Sequence, residues 1–567
     1  MFVGDETWEE YSVDAISKVL DCLTPENLIV MVQTHDPSIE YEFRDQYFNM
    51  QYSVEPLDAA LVEDIKAIEV HSDFKLPRPN QFMCHDLKPI SDAEKPAVPA
   101  TQPTLLIHNE RGEVWHKKDD TFFTPKGALS IEFVLPKAVR ELPGAMQLLE
   151  TFKKLVERAL RVPMDDAYLA GMSYHLQTSY NSMCVNIMGF TPKMMALAEV
   201  ILKHIQFAGP QDLHFSIIKE EMLTDYNGFV NDEPDRQGVN WLREVLGLRT
   251  QNIEAKIKFI ESMRLEDAQD FIRQALQNFY VKICGVGYFE EQTLLDIYSL
   301  VQTTFKPGTM PEDEICTPYF MLQKPGRHII HKQSPNEHSC HSAIIHNIYP
   351  GNESNVKIAV YLDLVSSLAH SEMFTRLRTN ETLGYIVGCG SSTTYSNFHY
   401  IRFEIVSKCN PVYLQLRLDK FYRIFRDEFL ANLTQEDLDS RINASIKTLE
   451  QPYTSIYSEY MRYANAIDSD LYDFSCKQEM IEVLKRVTKQ ELLEFWDTKL
   501  APLDPGRSPS LIAHVYSSKI HMPTLEDRQE YSAVICALHG CLEQSGIVGL
   551  GYADMCELVS RICEETT

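Results

Sequence analysis

LAGMSYHLQTSYNSMCVNIMGF (169–190) and LGYIVGCGSSTTYSNFHYIRFEIV (383–406) share one pattern, a short apolar run, a polar turn and a longer apolar run. Two apolar runs joined this way predict a β-hairpin, and meeting the pattern twice predicts an internal repeat. Gly171 matches Gly384, Tyr180 matches Tyr395 and Pro192 matches Pro411, at separations of 213, 215 and 219 residues. Behind each hairpin lie apolar residues at helical spacing, MMALAEVILKHIQF (194–207) and VYLQLRLDKFYRIF (412–425), so each copy continues into an amphipathic helix. The chain therefore reads as two related α/β units of a little over two hundred residues each.

Outward from the hairpins, a second unit recurs. RLEDAQDFIRQALQNFYVKICGVG (264–287) predicts a helix followed by a buried strand, and TKQELLEFWDTKL (488–500) with PSLIAHVYS (509–517) repeats it. Thr488 and Glu491 have the spacing of a capping box. SVDAISKVLDCLTPENLIVMVQ (12–33) has the same grammar: helix, a stop at Thr24-Pro25, then the solid apolar run Leu28 to Val32. A buried strand is expected there, the last of a domain whose sheet lies elsewhere, because such a strand needs neighbours on both sides. Residues 36–104 read as a connector, with a helix near 57–68 and then the prolines 77, 79, 89, 96, 99 and 103, which favour an extended, semi-rigid segment.

Length and composition bound the function. The 567 residues are 44% hydrophobic and 24% charged, which is ordinary for folded domains and excludes a disordered or fibrous chain. The formal charge of −28 repels phosphates and anionic lipid, and no basic patch offsets it, so neither nucleic acid nor membrane is an expected partner. Residues 1–70 carry 16 acidic and 3 basic side chains, close to half of the excess. Thirteen cysteines without a CxxC pair read as reduced thiols and an intracellular, cytoplasmic address. The opening MFVGDETWEE lacks the features of a secretion signal.

Catalytic signatures are scarce. Neither H-E-x-x-H nor H-x-x-E-H occurs, and there is no P-loop and no G-x-S-x-G elbow. NEHSCH (336–341) crowds Glu337, His338, Cys340 and His341, but without helical ligand spacing it reads better as a strand edge entering a sheet than as a metal site. Cys536, Cys541, Cys556, Cys563 and His539 in the tail match no ligand pattern and read as buried helix residues. The stretch MFTRLRTNETLGYIVGCG (373–390) offers more. Arg378 presents a rigid fork of donors suited to a peptide carbonyl or carboxylate, and the Tyr385 phenol can donate to a developing oxyanion. On residue physics alone, a salt-bridged surface arginine and a half-buried strand tyrosine are the preferred reading of the pair. Gly384 beside the tyrosine is compatible with close backbone approach.

FTRLRTNETLGYIV (374–387), VWHKKDDTFFTPKGALSIEFVLP (114–136), LAGMSYHLQTSYNSM (169–183), FKLPRPNQF (74–82) and LTPENLIVMV (23–32) together resemble the C-terminal half of insulysin-type enzymes in the pitrilysin-like inverzincin family of zinc metallopeptidases, from about residue 12 to about 517. The resemblance implies an α+β fold: two homologous α/β roll domains, with mixed or antiparallel sheets packed against helices, forming half of a clamshell. Residues 1–35 would end a second peptidase-like domain, 36–104 would be the connector, 105–320 the inactive third domain, and 321–517 the substrate-binding fourth domain. Residues 518–567 are a divergent tail.

By the same resemblance, zinc is the cofactor of the complete enzyme and sits on an H-x-x-E-H helix, so no metal ligand is assigned and this chain is expected to bind none. The residues that carry over are Arg378 and Tyr385, as catalytic and substrate-binding groups, and Phe374, as an aromatic wall. Arg376 departs as an extra cation, and Cys389 and Gly390 make the strand smaller. The implied partners are peptide substrates and a zinc-bearing N-terminal half or an intact homologue, with a homodimer also open. The implied function is to close the chamber, grip the peptide and stabilise the oxyanion, and the isolated chain is expected to be inactive. A peptide-binding pseudoenzyme, or a structural or regulatory partner, is the alternative.

Overall fold

A computed structural model describes residues 12–522, apart from 35, 37, 70, 76–77, 86, 88–99, 208–211, 247–251, 316–324, 352–354, 394–397, 505 and 521. The tail cysteines and His539 lie outside the described residues. Two compact units divide the chain, 1–79 and 80–567.

In the first unit, Ser12 caps helix α1 (Val13–Leu20) by accepting from the Ala15 N–H. A single 3-10 turn over Pro25–Asn27 follows, then strands β1 (Phe43–Arg44) and β2 (Gln51–Tyr52) as a small antiparallel hairpin, and helix α2 (Ala59–Ala67). Leu28 to Val32 does not form the buried strand expected from its apolar run. It is extended and unpaired among the described residues, with Ile29 and Met31 each 90% exposed. An apolar run becomes a strand only where neighbours supply backbone partners, and none of the described residues does so here.

The second unit contains two sheets. Strands β3 (Thr104–Asn109), β4 (Gly112–Lys118) and β5 (Lys126–Val134) lead into helices α3 (Lys137–Arg140) and α4 (Ala145–Leu169). The hairpin β6 (Ser173–Thr178) and β7 (Ser182–Phe190) precedes α5 (Met194–Phe207), α6 (Asp212–Gly228), α7 (Pro234–Leu246), α8 (Ile253–Ser262) and α9 (Leu265–Gln277). Then come β8 (Tyr280–Gly287), α10 (Glu291–Phe305) and α11 (Glu312–Ile315).

The second repeat runs β9 (Gly326–Gln333), β10 (Ser342–Ile348), α12 (Val356–Met373), β11 (Ile386–Thr393), β12 (His399–Ser407), α13 (Pro411–Ile424), α14 (Gln435–Glu450), α15 (Ile456–Asp468), α16 (Cys476–Leu484), α17 (Lys489–Phe495) and β13 (Pro509–Tyr516). Strand orders are β3-β4-β8-β5-β7-β6 and β11-β12-β10-β13-β9. With β3 set aside the two sheets are equivalent, each mostly antiparallel with one parallel pair, β4 with β8 and β9 with β13. The fold is thus mixed α/β, as the repeat implied, and Thr488 and Glu491 do form a capping box.

One face of each sheet is covered by helices of its own repeat. The other face is covered by exchange. Helix α7 of the first repeat places Leu242 against Ala343, Ile345, Ala513 and Val515 of the second sheet, and α15 of the second repeat places Tyr460, Tyr463 and Ile467 against Ala128, Cys284 and Val286 of the first. Gly238 permits the first contact, since a Cβ there would overlap Ile345 and Val515. Every residue of β8 is buried as a result. Burying Tyr460, Tyr463 and Ile467 is worth about 1.5–3 kcal/mol each, so the exchange contributes substantially to joining the repeats.

Candidate functional site

Helix α12 begins at Asn355, whose side chain accepts from the Lys357 N–H at 2.8 Å, and buries Val360, Leu364, Val365 and Leu368 in the second core. After Met373 the helix widens into a π-turn, Phe374–Asn380. Such turns concentrate at functional positions because the extra residue re-aims side chains. Leu377 remains buried and anchors the turn, and its carbonyl accepts from the Leu383 N–H at 2.9 Å. The chain then reverses through Thr382 at φ 48°. At Gly384 a Cβ would overlap the Val406 carbonyl oxygen, so the close approach read from the sequence is present.

This geometry gathers all three residues carried over from the family resemblance. The Arg378 guanidinium lies 4.6 Å from the centre of the Phe374 ring and 4.7 Å from that of Tyr385. Each contact contributes about 0.5–1 kcal/mol at an exposed site and restrains where the cation sits. Tyr385 is 82% exposed. Among the described residues no carboxylate pairs with Arg378, whereas its neighbours are paired: Arg376 with Glu372 at 2.9 Å and Glu428 at 3.3 Å, and Arg417 with Glu381. The surface-ion-pair reading of Arg378 therefore describes Arg376 instead. An aromatic-flanked guanidinium beside an exposed phenol can bind a carbonyl or carboxylate and donate to an oxyanion. Glu372, Glu381, Arg417 and Glu428 were missed by sequence reasoning, because pairing across elements leaves no local signal.

Among the described residues the other candidates form no metal centre. NEHSCH is a turn leading into β10, where the Asn336 side chain accepts from the His338 and Ser339 N–H groups at 3.0 and 3.1 Å. Among the described residues no group of three or more His, Cys, Asp or Glu converges as metal ligands would. No helix among them is long and apolar enough to cross a membrane. The eight described cysteines are all free thiols.

A second polar region lies between the first sheet and α15, a cavity of about 280 Å³ lined in part by Glu132, Lys282, Tyr460 and Asp468. Burial, with the charge of Asp468 next, pushes the Glu132 carboxyl up to about 8. Lys282 donates to the Ile467 carbonyl at 3.1 Å and to Asp470. No sequence signal marked this region.

Two sheets of equivalent strand order thus exchange helices across one face. The family descriptions "Middle or third domain of peptidase_M16" and "Peptidase M16 inactive domain" match residues 1–259 and 262–445. The chain belongs to the peptidase M16 family. It is similar to insulin-degrading enzyme of Homo sapiens, 26% identical over 521 residues that make up 90% of this chain and 50% of that protein. It is also similar to the A-factor-processing enzyme of Saccharomyces cerevisiae, 24% identical over 515 residues, 90% of this chain and 49% of that one. Among solved structures, pitrilysin superposes with a TM-score of 0.75 at 16% identity, over 89% of this chain and 52% of that one. The chain spans about half the length of the curated relatives it matches.

Proposed function

We propose that this chain is the substrate-gripping, non-zinc half of an M16-type metalloendopeptidase. It closes a peptide chamber, binds the peptide through Arg378 and Phe374, and supplies the Tyr385 hydroxyl to the oxyanion that forms when the scissile carbonyl is attacked. The observation that carries this reading is the Arg378 cation held between Phe374 and Tyr385 with no carboxylate partner among the described residues.

A zinc-bearing N-terminal half, or an intact homologue, is the proposed partner. The exposed apolar run Leu28 to Val32 and the apolar residues of α1 support it, since none of them is buried. Free thiols favour a cytoplasmic setting, and a second copy is the other candidate for the exposed run.

Mixing the purified chain with a separately produced zinc-bearing half should restore hydrolysis of a fluorogenic peptide. Tyr385→Phe should then lower kcat about a hundredfold with little change in KM, as loss of one oxyanion donor does. Chelator-sensitive cleavage by the chain alone would refute the division of labour. Peptide binding without any hydrolysis in the mixture would favour a peptide-binding pseudoenzyme.

A further inference from the structure

Three π-turns occur among the described residues, and all belong to the second repeat: Phe374–Asn380 after α12, Phe425–Leu430 after α13 and Trp496–Leu500 after α17. Ion pairs string them together. Arg376 of the first reaches Glu428 of the second at 3.3 Å, and Arg426 of the second reaches Asp497 of the third at 2.8 Å. The Phe425 ring packs 5.0 Å from that of Trp496, which fixes the second turn on the third.

The first π-turn has a further tie at its far end, where Glu381 accepts from Arg417 of α13, with 2.9 Å to Nε. Between the two ties lies a cavity of about 150 Å³, lined in part by Arg376, Leu377, Glu381, Arg417, Lys420 and Phe421. Leu377 anchors the middle of the turn in the core, while beside the cavity the turn has fewer packing contacts, so the placing of its two ends depends on how they are tied. Ion pairs as exposed as Arg376–Glu428 add little to folding stability. Their effect here is geometric.

Arg376 and Arg378 stand two residues apart in the widened turn and have different partners, Arg376 the carboxylates of Glu372 and Glu428, Arg378 the rings of Phe374 and Tyr385. We propose that Glu428 and Glu381 are positioning residues for Arg378: by holding Arg376 and Arg417 they fix the π-turn as a strap across the cavity and set where the Arg378 guanidinium lies between its two rings. This rests on Arg378 being the peptide-binding group. It adds that the grip is adjustable and salt-sensitive, since exposed pairs weaken as ionic strength rises.

The test uses the full chain with arginine nitrogens isotopically labelled. The Nε–H resonance of Arg378, identified by its loss in Arg378→Lys, lies under the ring currents of Phe374 and Tyr385. It should move in Glu428→Gln and Glu381→Gln, return toward its original place in Glu428→Asp, and move in wild type when salt is raised. Affinity for a fluorescein-labelled unstructured peptide should fall about two- to fivefold in either glutamine variant, the size expected for one exposed pair, and should not fall further when the same change is made in Arg378→Ala.

An unmoved Arg378 resonance in the Glu428→Gln/Glu381→Gln double variant overturns the proposal, as does an affinity loss that persists undiminished in Arg378→Ala. If Arg378→Ala itself leaves peptide affinity unchanged, the peptide-binding reading fails. The resonance then decides the positioning role alone.

Discussion

The corner between helix and hairpin is built differently in the two repeats, although it occupies the same place in both sheets. In the first, α4 ends at Leu169, Ala170 stays at φ −87°, and Gly171 turns the chain at φ 71°. In the second, the helix widens into a π-turn, Thr382 takes the left-handed position at φ 48°, and the matching Gly384 is needed for space against the Val406 carbonyl. The glycines align in sequence but answer different physical demands. The first corner follows the cheapest route, whereas the second places a β-branched residue where it costs about 1–2 kcal/mol and in return presents Arg378 and Tyr385 together. Of the two corners, the strained one is the one that carries the candidate chemistry.

Exchanging side chains at the two glycines tests that contrast most forcefully. Gly384→Ala should destabilise the chain by about 3 kcal/mol, because the backbone must move to admit the methyl group, while Gly171→Ala should cost only about 1–2 kcal/mol, from the left-handed backbone. Equal losses in urea unfolding would remove the distinction.

The interiors of the repeats differ in charge chemistry, and pH should separate them in opposite directions. Glu132, in the first, has its carboxyl pushed from 4.5 up to about 8 by burial, with Asp468 adding. Its contribution is complete below 4.5 and is lost as pH rises through 8. In the second, burial, with His331 next, pushes the His514 imidazole from 6.5 down to about 3. Its contribution is complete above 6.5 and is lost as pH falls toward 3. Glu132→Gln should flatten only the alkaline limb of the unfolding midpoint, and His514→Gln only the acid limb. A swap of the two effects would refute the assignment.

The smallest expected effect sharpens the corner argument. Thr382→Gly should stabilise the chain by roughly 1 kcal/mol by relieving the left-handed β-branched residue, and Ala170→Gly in the first repeat should give no gain. Calorimetry on the two variants decides it.

Much of the fold was legible because it is local. The hairpins β6–β7 and β11–β12 follow from alternating apolar runs, and the units α9–β8 and α17–β13 follow from helical spacing ending in an apolar strand. What escaped notice is non-local. Tyr460, Tyr463 and Ile467 have ordinary amphipathic spacing, and nothing in that spacing says they cover the sheet of the other repeat. FTRLRTN reads as plain helix because a single wider turn hardly alters the periodicity. Leu28 to Val32 was misread because apolarity signals burial only when a sheet is there to receive it. The trio Phe374, Arg378 and Tyr385 was visible through family resemblance, since residue chemistry alone favoured a surface ion pair.

The exchange of α7 and α15 also governs how the chain emerges during synthesis. The first sheet is complete in strands once β8 has been made, yet the face bearing Ala128, Cys284 and Val286 has no cover until Ile456–Asp468 leaves the ribosome. At ~5–20 residues per second that interval is roughly ten seconds or more, during which an apolar sheet face stands open to chaperones and to neighbouring nascent chains. Premature termination anywhere in the second repeat before α15 would therefore impair the first repeat as well.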